Sequence, residues 1–495
     1  MITLMLTRSY IDPEKRCGQT RTENNMNYKA EYDRWMSNVL VPDLIDELKG
    51  MDDAAIEDAF YRDLAFGTGG LRGVIGAGTN RVNIYTIAKA SQGLADYVNK
   101  NFPEGERSIA ISHDSRIKSD VFARVAAGVF AANGINAHIY TELMPTPCLS
   151  YAVRALKCSA GIMVTASHNP SKYNGYKVYG ADGCQITTEA ADAVTAEIEK
   201  LDIFEDVKMG DFNEYLDTAG SVSIKYISDQ IYTDFVEEVK KQSLLGPDDE
   251  IDRNVAIVYS PLNGTGLKPV TRTLKETGFT NITVVKEQEQ PDGNFPTCPY
   301  PNPEIREAMQ LGIEYARKNN ADLLLATDPD CDRVGIAVKD RNGEYVLLTG
   351  NQTGCLLIDY VCSQRVKNDT MPKDPIVVKT IVSTDLADQI AESYGAKVTP
   401  IDTFEQSVEM VASGRAEATI NSELVYADYM KNNPDAPLKV VASTEDVAIT
   451  AIPVSKGQQN LVDALNKAID ELREDGTLGE LSVKYFDVDV TVLPE

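Results

Sequence analysis

The chain has 495 residues, of which 43% are hydrophobic and 25% are charged, and its formal net charge is −27. This composition is typical of a globular protein with roughly three to four domains. The negative charge argues against binding to nucleic acid or to an anionic membrane surface, so an anionic ligand would have to be held by a few local arginines and lysines. The 8 cysteines form no CxxC pair and are accompanied by only 3 histidines. That pattern favours reduced thiols in a cytoplasmic protein over a zinc site or a redox dithiol.

For the N-terminal part, the sequence predicts an extension followed by helices. Residues 1–40 are interpreted as an extension, because the first apolar run is short and soon followed by charges and because an ordinary start occurs at Met26. We expect neither a secretion signal nor a membrane-spanning segment. From about residue 31 to residue 64 the apolar residues recur at helical spacing. Five of them are expected to face inwards: Trp35, Val39, Leu44, Leu48 and Ile56.

Strands and helices then alternate along the chain. Buried strands are predicted at 108–116, where a polar turn follows, and at 137–140, 160–165, 255–259 and 322–326, with helices between them. This alternation is typical of layered α/β domains. We predict three such domains, at 41–205, 225–336 and 345–397. Polar stretches near residues 205–225 and 337–345 are expected to separate them.

The segment VTASHNP, at positions 164–170, carries a candidate nucleophile after a hydrophobic stretch. A serine in such a loop, flanked by His168 and Asn169, is expected to be exposed and able to carry a phosphoryl group. A plain turn built by Ser167 and Asn169 explains a lone match equally well. NGYK follows a few residues later and would bring Lys177 close enough to transfer protons or hold phosphate if the loop folds back. Taken alone, Lys177 would more often be a surface lysine.

Three alternating carboxylates follow another predicted strand in the segment ATDPDCDR, at positions 326–333. In an extended loop Asp328, Asp330 and Asp332 can converge on one cation. Oxygen ligands without histidine favour Mg²⁺ or Ca²⁺ over zinc. Arg333 comes next and offers a guanidinium fork suited to a phosphate. A solvated acidic turn is the alternative interpretation.

A glycine-rich loop, GTGGLRG at positions 67–73, is similar to loops whose backbone N–H groups approach an anion. It lacks the GK[ST] of a Walker A motif and is not a GxGxxG after a strand, so it does not predict nucleotide binding. Arg72 within it favours an anionic ligand over a turn without a ligand.

Taken together, FGTGGLRG, TASHNP with NGYK, and DPDCDR resemble the motifs of the α-D-phosphohexomutases, the phosphoglucomutase and phosphomannomutase family, in order and in separation. The phrases NRVNIYT, SPLNGTG and DGNFPTCPYPNPE are similar to its bacterial phosphoglucomutase-like branch. The resemblance covers about residues 54–397. It implies an α/β fold with three consecutive phosphohexomutase-type domains, the first with a phosphoserine loop, the second with a metal loop and the third truncated.

The resemblance also implies one Mg²⁺ ion per chain. Ser167 would be the phosphoserine and the fourth oxygen source for that ion, whose other ligands would be Asp328, Asp330 and Asp332. The reaction implied converts hexose 1-phosphate and hexose 6-phosphate into each other through a bisphosphorylated sugar. Glucose 1,6-bisphosphate would serve as activator and intermediate.

Five further residues receive roles from the same resemblance. Lys177, His168 and Arg72 would handle proton transfer and the charge of the phosphoserine. Arg333 and Lys379 would contact the sugar phosphate. The upstream phrases favour glucose as the sugar.

After YGAK, at positions 394–397, the resemblance ends. Neither a sugar-recognition loop of the type GFKFIGE nor an RxSGTEP-type phosphate loop follows. Residues 398–495 instead resemble the C-terminal part of an extracellular solute-binding protein for amino acids, family 3, in SGRAEATI, IPVSKGQ and DGTLGEL. Ser422 stands where that family usually has a ligand-binding aspartate, so amino-acid binding is not expected. A diverged fourth mutase domain is the alternative to a recombined or misassembled gene.

The sequence thus predicts a cytoplasmic phosphosugar mutase whose fourth domain is replaced by a partial α/β solute-binding-protein lobe. Its partners would be sugar phosphates, with no nucleic acid, membrane or protein partner. Loss of the fourth domain is expected to impair activity, because remote binding energy normally contributes to catalysis. The alternatives are an inactive chimera and an amino-acid-binding module.

Overall fold

The computed structural model describes residues 28–67, 69–246, 249–380 and 383–401, together with four single positions at 467, 472, 476 and 477. The chain divides into two compact units. One unit is Asn24–Thr370, and the other combines Met1–Glu23 with Met371–Glu495. Most of the predicted N-terminal extension lies outside the described residues. So does nearly all of the predicted solute-binding segment, including Ser422.

Three helices open the described part of the chain: α1 over residues 28–38, α2 (Pro42–Gly50) and α3 (Asp53–Phe60). All five apolar residues that were predicted to face inwards here are buried. The cluster contains Trp35, whose ring meets the rings of Phe60, Tyr85 and Phe204 edge-to-face at 5.6 Å. The helical spacing is interrupted because Pro42 and the capping residue Asp52 each start a new helix.

A seven-stranded sheet follows, with the spatial order β1-β2-β6-β5-β3-β4-β7. Its strands are β1 (Phe66–Gly67), β2 (Gly70–Val74), β3 (Ser108–His113), β4 (Asn136–Ile139), β5 (Ala160–Val164), β6 (Tyr173–Gly180) and β7 (Ile224–Tyr226). Strands β3, β4, β5 and β7 are parallel, whereas β6 runs antiparallel to both β5 and β2. The parallel strands therefore release their C-terminal turns at one edge of the sheet.

Helices cover this first sheet and bury its apolar core, which includes Ile109, Ile111, Phe122 and Phe130. They are α4 (Ile84–Asn101), α5 (Ser119–Ala132), α6 (Thr146–Ala155), α7 (Thr188–Ile198), α8 (Phe212–Tyr215) and α9 (Asp229–Lys241). The longest of them, α4, begins at Asn83, whose side chain accepts hydrogen bonds from the N–H groups of Tyr85 and Thr86 in a capping box.

A second sheet has five strands in the order β12-β11-β10-β8-β9. Its strands are β8 (Ile257–Ser260), β9 (Ile282–Val284), β10 (Leu323–Thr327), β11 (Val334–Lys339) and β12 (Tyr345–Leu348). The helices that lie between its strands in the chain are α10 (Leu267–Glu276), α11 (Lys286–Glu289) and α12 (Arg306–Lys318), and α13 (Gly350–Lys367) follows its last strand. Strands β8, β9 and β10 are parallel, and β11 runs antiparallel to β10.

The polar stretch 337–345 differs from the expectation that it separates two domains. It is the end of β11 and the turn that joins β11 to β12 as a hairpin in one sheet. Asp340 caps the turn by accepting from the N–H groups of Asn342 and Glu344, and Gly343 has a φ of 83°. The stretch is polar because a tight turn requires such residues. The predicted third domain was expected to begin at residue 345, but residues 345–348 are β12, the edge strand of the second sheet.

The described part of the other unit is small. Strands β13 (Ile376–Thr380) and β14 (Lys397–Ile401) form a parallel two-stranded sheet, with α14 (Leu386–Ser393) between them in the chain. Strand β13 and helix α14 lie within the range of the predicted third domain, whereas β14 begins at its last residue and continues into the predicted solute-binding segment. Among the residues that the structure describes, every helix is too short or too polar to cross a bilayer.

Candidate active site

Ser167 lies in the loop of residues 165–172 that connects β5 to β6, here called the Ser167 loop. Its backbone has a left-handed φ of 50°, and its N–H donates to Thr165 Oγ1 at 2.8 Å. A non-glycine residue in this conformation is strained and is held only where surrounding contacts fix it. The expectation that Ser167 is exposed is wrong: the residue is buried, with 3% of its surface accessible. It lies beneath a second loop, whose Asp328 Oδ2 accepts a hydrogen bond from Ser167 Oγ at 2.7 Å.

Arg116 holds the Ser167 loop from the turn after β3. Its two Nη atoms donate to backbone carbonyls of the loop and of the first residue of β6, at positions 167, 169, 170 and 173. The Arg116 side chain is fully buried, and its Nε lies 3.4 Å from Asp114 Oδ2. A planar guanidinium can direct several donors at once, so one side chain fixes the course of the whole loop.

Asp114 completes this framework. Its carboxylate accepts hydrogen bonds from the Thr165 hydroxyl at 2.6 Å, from the Ser119 hydroxyl at 2.8 Å and from the Arg116 N–H at 2.9 Å. Burial raises the pKa of Asp114, although the charge of Arg116 opposes that rise. Sequence reasoning missed Asp114, Arg116 and Thr165. The signal was present, because HDSR follows β3 and β3 is the parallel neighbour of β5, so their C-terminal turns meet.

The loop of residues 328–333 between β10 and β11, here called the acidic loop, brings the three predicted carboxylates together. Ligand oxygens of Asp328, Asp330 and Asp332 all lie within 4.8 Å of one another. Asp328 and Asp330 are fully buried. Asp330 Oδ1 is buried without a hydrogen-bond partner among the described residues. An unpaired buried carboxylate oxygen beside two further carboxylates is a donor set that suits a hard divalent cation.

Lys177 supplies the positive charge that faces this cluster. It does not lie on a loop that folds back, as was expected, but on strand β6 opposite Met163 of β5. Its Nζ lies 2.8 Å from Asp330 Oδ2 and 3.1 Å from Asp332 Oδ2. Burial lowers the pKa of Lys177, but the two carboxylates outweigh that effect and raise it above its usual value. One lysine thus faces three carboxylates, so its positive charge does not balance theirs, and a bound cation would supply further positive charge.

The pKa values of the aspartates also indicate an excess of negative charge in the acidic loop. Burial, followed by the charges of Asp330 and Asp332, raises the pKa of Asp328 to about 8. Burial also opposes ionisation of Asp330, but Lys177 outweighs it and lowers the pKa of that carboxyl. The lysine therefore compensates Asp330 and leaves Asp328 in a field that a further cation would relieve.

The predicted SPLNGTG phrase supports the acidic loop from behind. A Cβ on Gly264 would lie 2.4 Å from Pro329 Cα, so only glycine allows the two loops to approach this closely. The N–H and the hydroxyl of Thr265 both donate to the Pro329 carbonyl, at 2.9 Å and 3.0 Å. The phrase thus holds the backbone of the loop.

Three more predicted residues lie around Ser167. His168 Nδ1 is 3.2 Å from Ser167 Oγ. Burial, followed by the charges of Arg333 and Arg72, lowers the pKa of His168. Arg72, on β2, donates to Asn169 Oδ1 at 3.2 Å. Arg333 is partly exposed, with Nη1 at 3.7 Å from Glu304 Oε2. Arg72 and His168 thus contact residues of the Ser167 loop, and Arg333 closes the acidic loop.

Lys379 belongs to the other unit of the chain, on β13. Its Nζ lies 2.8 Å from Asp388 Oδ2 and 3.3 Å from Asp385 Oδ1. The predicted role of Lys379 at a sugar phosphate therefore stays a prediction.

Comparisons with sequence families agree with the two resemblances. Residues 63–203 match the phosphoglucomutase/phosphomannomutase alpha/beta/alpha domain I, and residues 231–343 match domain II of the same family. Residues 382–488 match the bacterial extracellular solute-binding proteins, family 3. The predicted composite of mutase-type and solute-binding-type sequence is confirmed.

Curated relatives are phosphoglucomutases of staphylococci. The phosphoglucomutase of Staphylococcus saprophyticus is 33% identical over 441 residues, which cover 89% of this chain and 77% of that protein. This alignment extends into the C-terminal residues that the solute-binding family also matches. The phosphoglucomutase of Staphylococcus haemolyticus is 36% identical over 342 residues, or 69% of this chain and 60% of that protein. The chain thus spans about three fifths of the length of this second relative.

Solved structures share the fold. A phosphoglucomutase/phosphomannomutase family protein from Burkholderia thailandensis superposes with a TM-score of 0.54 at 19% identity, over 71% of this chain and 69% of that one. Parafusin from Paramecium gives a TM-score of 0.50 at 15% identity, over 72% and 65% of the two chains. At these identities the likeness concerns the fold alone.

Proposed function

The chain belongs to the phosphoglucomutase/phosphomannomutase family of intramolecular phosphotransferases, and we propose that it interconverts glucose 1-phosphate and glucose 6-phosphate through a phosphorylated Ser167. One observation carries this proposal. Ser167 Oγ donates to Asp328 at 2.7 Å, in a cluster of three carboxylates of which two are buried and which faces Lys177. A nucleophile beside a metal-type cluster and a fixed lysine is the arrangement that phosphoryl transfer requires.

Asp328, Asp330, Asp332 and an oxygen on Ser167 would hold Mg²⁺, which would neutralise the charge of the transferring phosphoryl group. Ser167 itself acts as the phosphoryl carrier. In the forward step the bond from phosphorus to Ser167 Oγ breaks, a bond to a sugar hydroxyl oxygen forms, and the hydroxyl proton ends on Oγ. The bisphosphorylated sugar then turns over and returns its other phosphate to Ser167.

The pKa shifts support different roles for Lys177 and His168. Lys177 stays protonated, because its pKa is raised by two carboxylates, and it stabilises negative charge on the transferring group. His168 is neutral near pH 7, because its pKa is lowered. Its Nδ1 lies 3.2 Å from Ser167 Oγ, so it can relay the proton between Oγ and the sugar oxygen. In the forward step it takes the proton of the sugar hydroxyl and passes it to Oγ, and when a phosphoryl group returns to Ser167 it takes the Oγ proton and passes it to the sugar oxygen.

Substrate binding relies on local positive charge within an acidic chain. Burial, followed by the charges of Arg333 and Arg72, lowers the pKa of His168, and Arg72 donates to Asn169 Oδ1 at 3.2 Å, which supports a role for both arginines beside the reacting serine. They would bind the phosphate that is being transferred. Downstream of residue 397 the sequence contains no Gly-Thr-Glu-Pro segment. We expect kcat as well as affinity to fall below those of an intact relative.

A coupled assay tests the proposal. The purified full-length chain is given glucose 1-phosphate, Mg²⁺ and a trace of glucose 1,6-bisphosphate, and glucose 6-phosphate is measured. Ser167→Ala is expected to lower turnover by at least about 10³-fold. Ser37→Ala, at an exposed position of α1, is the matched control and should leave turnover unchanged.

Two outcomes would contradict the proposal. Full turnover by Ser167→Ala would exclude the serine as carrier. Absence of turnover in a folded wild-type chain would identify an inactive chimera. A calorimetric titration with amino acids, run on the same sample, would then show whether the C-terminal segment binds them.

A further inference from the structure

Thr146, the first residue of α6, makes two hydrogen bonds to Asp330 of the acidic loop. Its N–H donates to the Asp330 carbonyl at 2.9 Å, and its hydroxyl donates to Asp330 Oδ2 at 3.0 Å. Thr146 is buried, so these bonds are shielded from water. The residue belongs to the helices of the first sheet, whereas Asp330 follows a strand of the second sheet. Thr146 therefore ties a carboxylate of one sheet to the other.

The two oxygens of Asp330 have different partners. Oδ2 accepts from the Thr146 hydroxyl and from Lys177 Nζ, at 3.0 Å and 2.8 Å. Oδ1 is buried and has no hydrogen-bond partner in the described part of the chain. Two donors on one oxygen stop the carboxylate from rotating about its Cβ–Cγ bond. The free oxygen is thereby presented to the space that it shares with Asp328 and Asp332.

We propose that Thr146 is a positioning residue of the cation site, which holds Asp330 so that Oδ1 is the ligating atom. The inference rests on the proposed function, since it assumes that the acidic loop binds a divalent cation. Donors to the non-ligating oxygen of a ligand carboxylate fix its orientation, and their loss typically weakens metal affinity by about 10–100-fold.

Thr265 offers a matched control. It too is buried and donates through both its N–H and its hydroxyl to the acidic loop, but to the carbonyl of Pro329 and not to a carboxylate. If threonine hydroxyls matter only for the rigidity of the loop, Thr146 and Thr265 should have the same effect. If the orientation of Asp330 matters, only Thr146 should affect the cation.

The experiment titrates Mn²⁺ into the metal-free full-length chain and follows free Mn²⁺ by electron paramagnetic resonance. Thr146→Val is expected to raise the Kd by about 10-fold or more. Thr146→Ser should restore the wild-type Kd, because it keeps the hydroxyl. Thr265→Val should lower the melting temperature without raising the Kd. If Thr146→Val does not fold, Thr146→Ala removes the hydroxyl without the added methyl group.

Three results would overturn the inference. A wild-type Kd in Thr146→Val or Thr146→Ala would show that the hydroxyl does not position the ligand. An equal loss in Thr265→Val would assign the effect to loop rigidity. If the wild-type chain binds no Mn²⁺ at all, the proposed cation site fails and the inference falls with it, a result distinct from the other two.

Discussion

The Ser167 loop and the acidic loop touch each other through one hydrogen bond, yet they are stabilised in opposite ways. Backbone carbonyls of the Ser167 loop accept from Arg116, whose charge is met by Asp114. The acidic loop crowds three carboxylates within 4.8 Å and leaves Asp330 Oδ1 without a partner in the described part of the chain. The first loop is completed by the protein's own groups. The second loop has Lys177 as the counter-charge for Asp330 and Asp332, and its remaining carboxylate oxygens suit a bound cation.

The largest effect is expected at Arg116. Arg116→Met should lower the free energy of unfolding by about 3–5 kcal/mol, because it leaves the buried Asp114 without its counter-charge. Urea denaturation measures the change. Arg107→Met is the control, since Arg107 also donates to two backbone carbonyls, those of Asn99 and Phe102, but is only half-buried. If the free energy of unfolding falls no further in Arg116→Met than in Arg107→Met, the hydrogen bonds of Arg116 to the Ser167 loop are not needed for stability.

We expect Mg²⁺ to stabilise the chain by binding to the acidic loop. Mg²⁺ at 100 times its Kd should stabilise the wild-type chain by about 2.7 kcal/mol, and Asp330→Asn should abolish this gain. Thermal melts with and without Mg²⁺ measure it. Asp340→Asn, in the acidic turn of the β11–β12 hairpin, should keep the full gain. Equal stabilisation of all three chains would assign the effect to nonspecific binding.

Removing one carboxylate should change the free energy of unfolding in the opposite direction from removing Arg116. Asp328→Asn should raise the stability of the metal-free chain at pH 7 by about 1 kcal/mol, because the raised pKa of Asp328 means that this aspartate must take up a proton on folding, whereas an asparagine need not. The asparagine can still accept from the N–H groups of Asp332 and Arg333, as Asp328 does. Urea denaturation in the presence of a chelator measures the change. A loss of stability would show that the aspartates are already balanced without a cation.

The smallest change in stability is expected at Arg72. Arg72→Gln should alter the free energy of unfolding by no more than about 0.5 kcal/mol, because the side chain is exposed and donates only to Asn169 in the described structure. Turnover should nevertheless fall, since the charge lies beside the phosphoryl carrier. A variant with wild-type turnover would remove Arg72 from the site.

Much of the fold and part of the site could be predicted from the sequence. The alternation of strands and helices is a local pattern, so the five predicted strands lie within a few residues of β3, β4, β5, β8 and β10. Two predicted loops were wrong: most of the glycine-rich segment 67–73 belongs to β1 and β2, and NGYK belongs to β6. The spacing of Asp328, Asp330 and Asp332 after a buried strand correctly predicted that the three carboxylates lie close together.

What the sequence could not show depends on contacts between distant segments. The burial of Ser167 requires Asp328 to lie above it, 161 residues further along the chain. The grip of Arg116 on the Ser167 loop likewise spans more than fifty positions. The polar stretch 337–345 misled because a hairpin turn and a linker between domains have the same polar composition. Only strand pairing distinguishes them.

We propose above all that Ser167 carries the phosphoryl group beside a cation held by the acidic loop. The most direct measurement incubates the full-length chain with Mg²⁺ and glucose 1,6-bisphosphate, removes the sugar and locates phosphate by peptide mass spectrometry. We predict phosphate on Ser167 in the wild-type chain and none after Ser167→Ala or when Mg²⁺ is withheld. Phosphate on another residue, or none on a folded wild-type chain, would contradict the account.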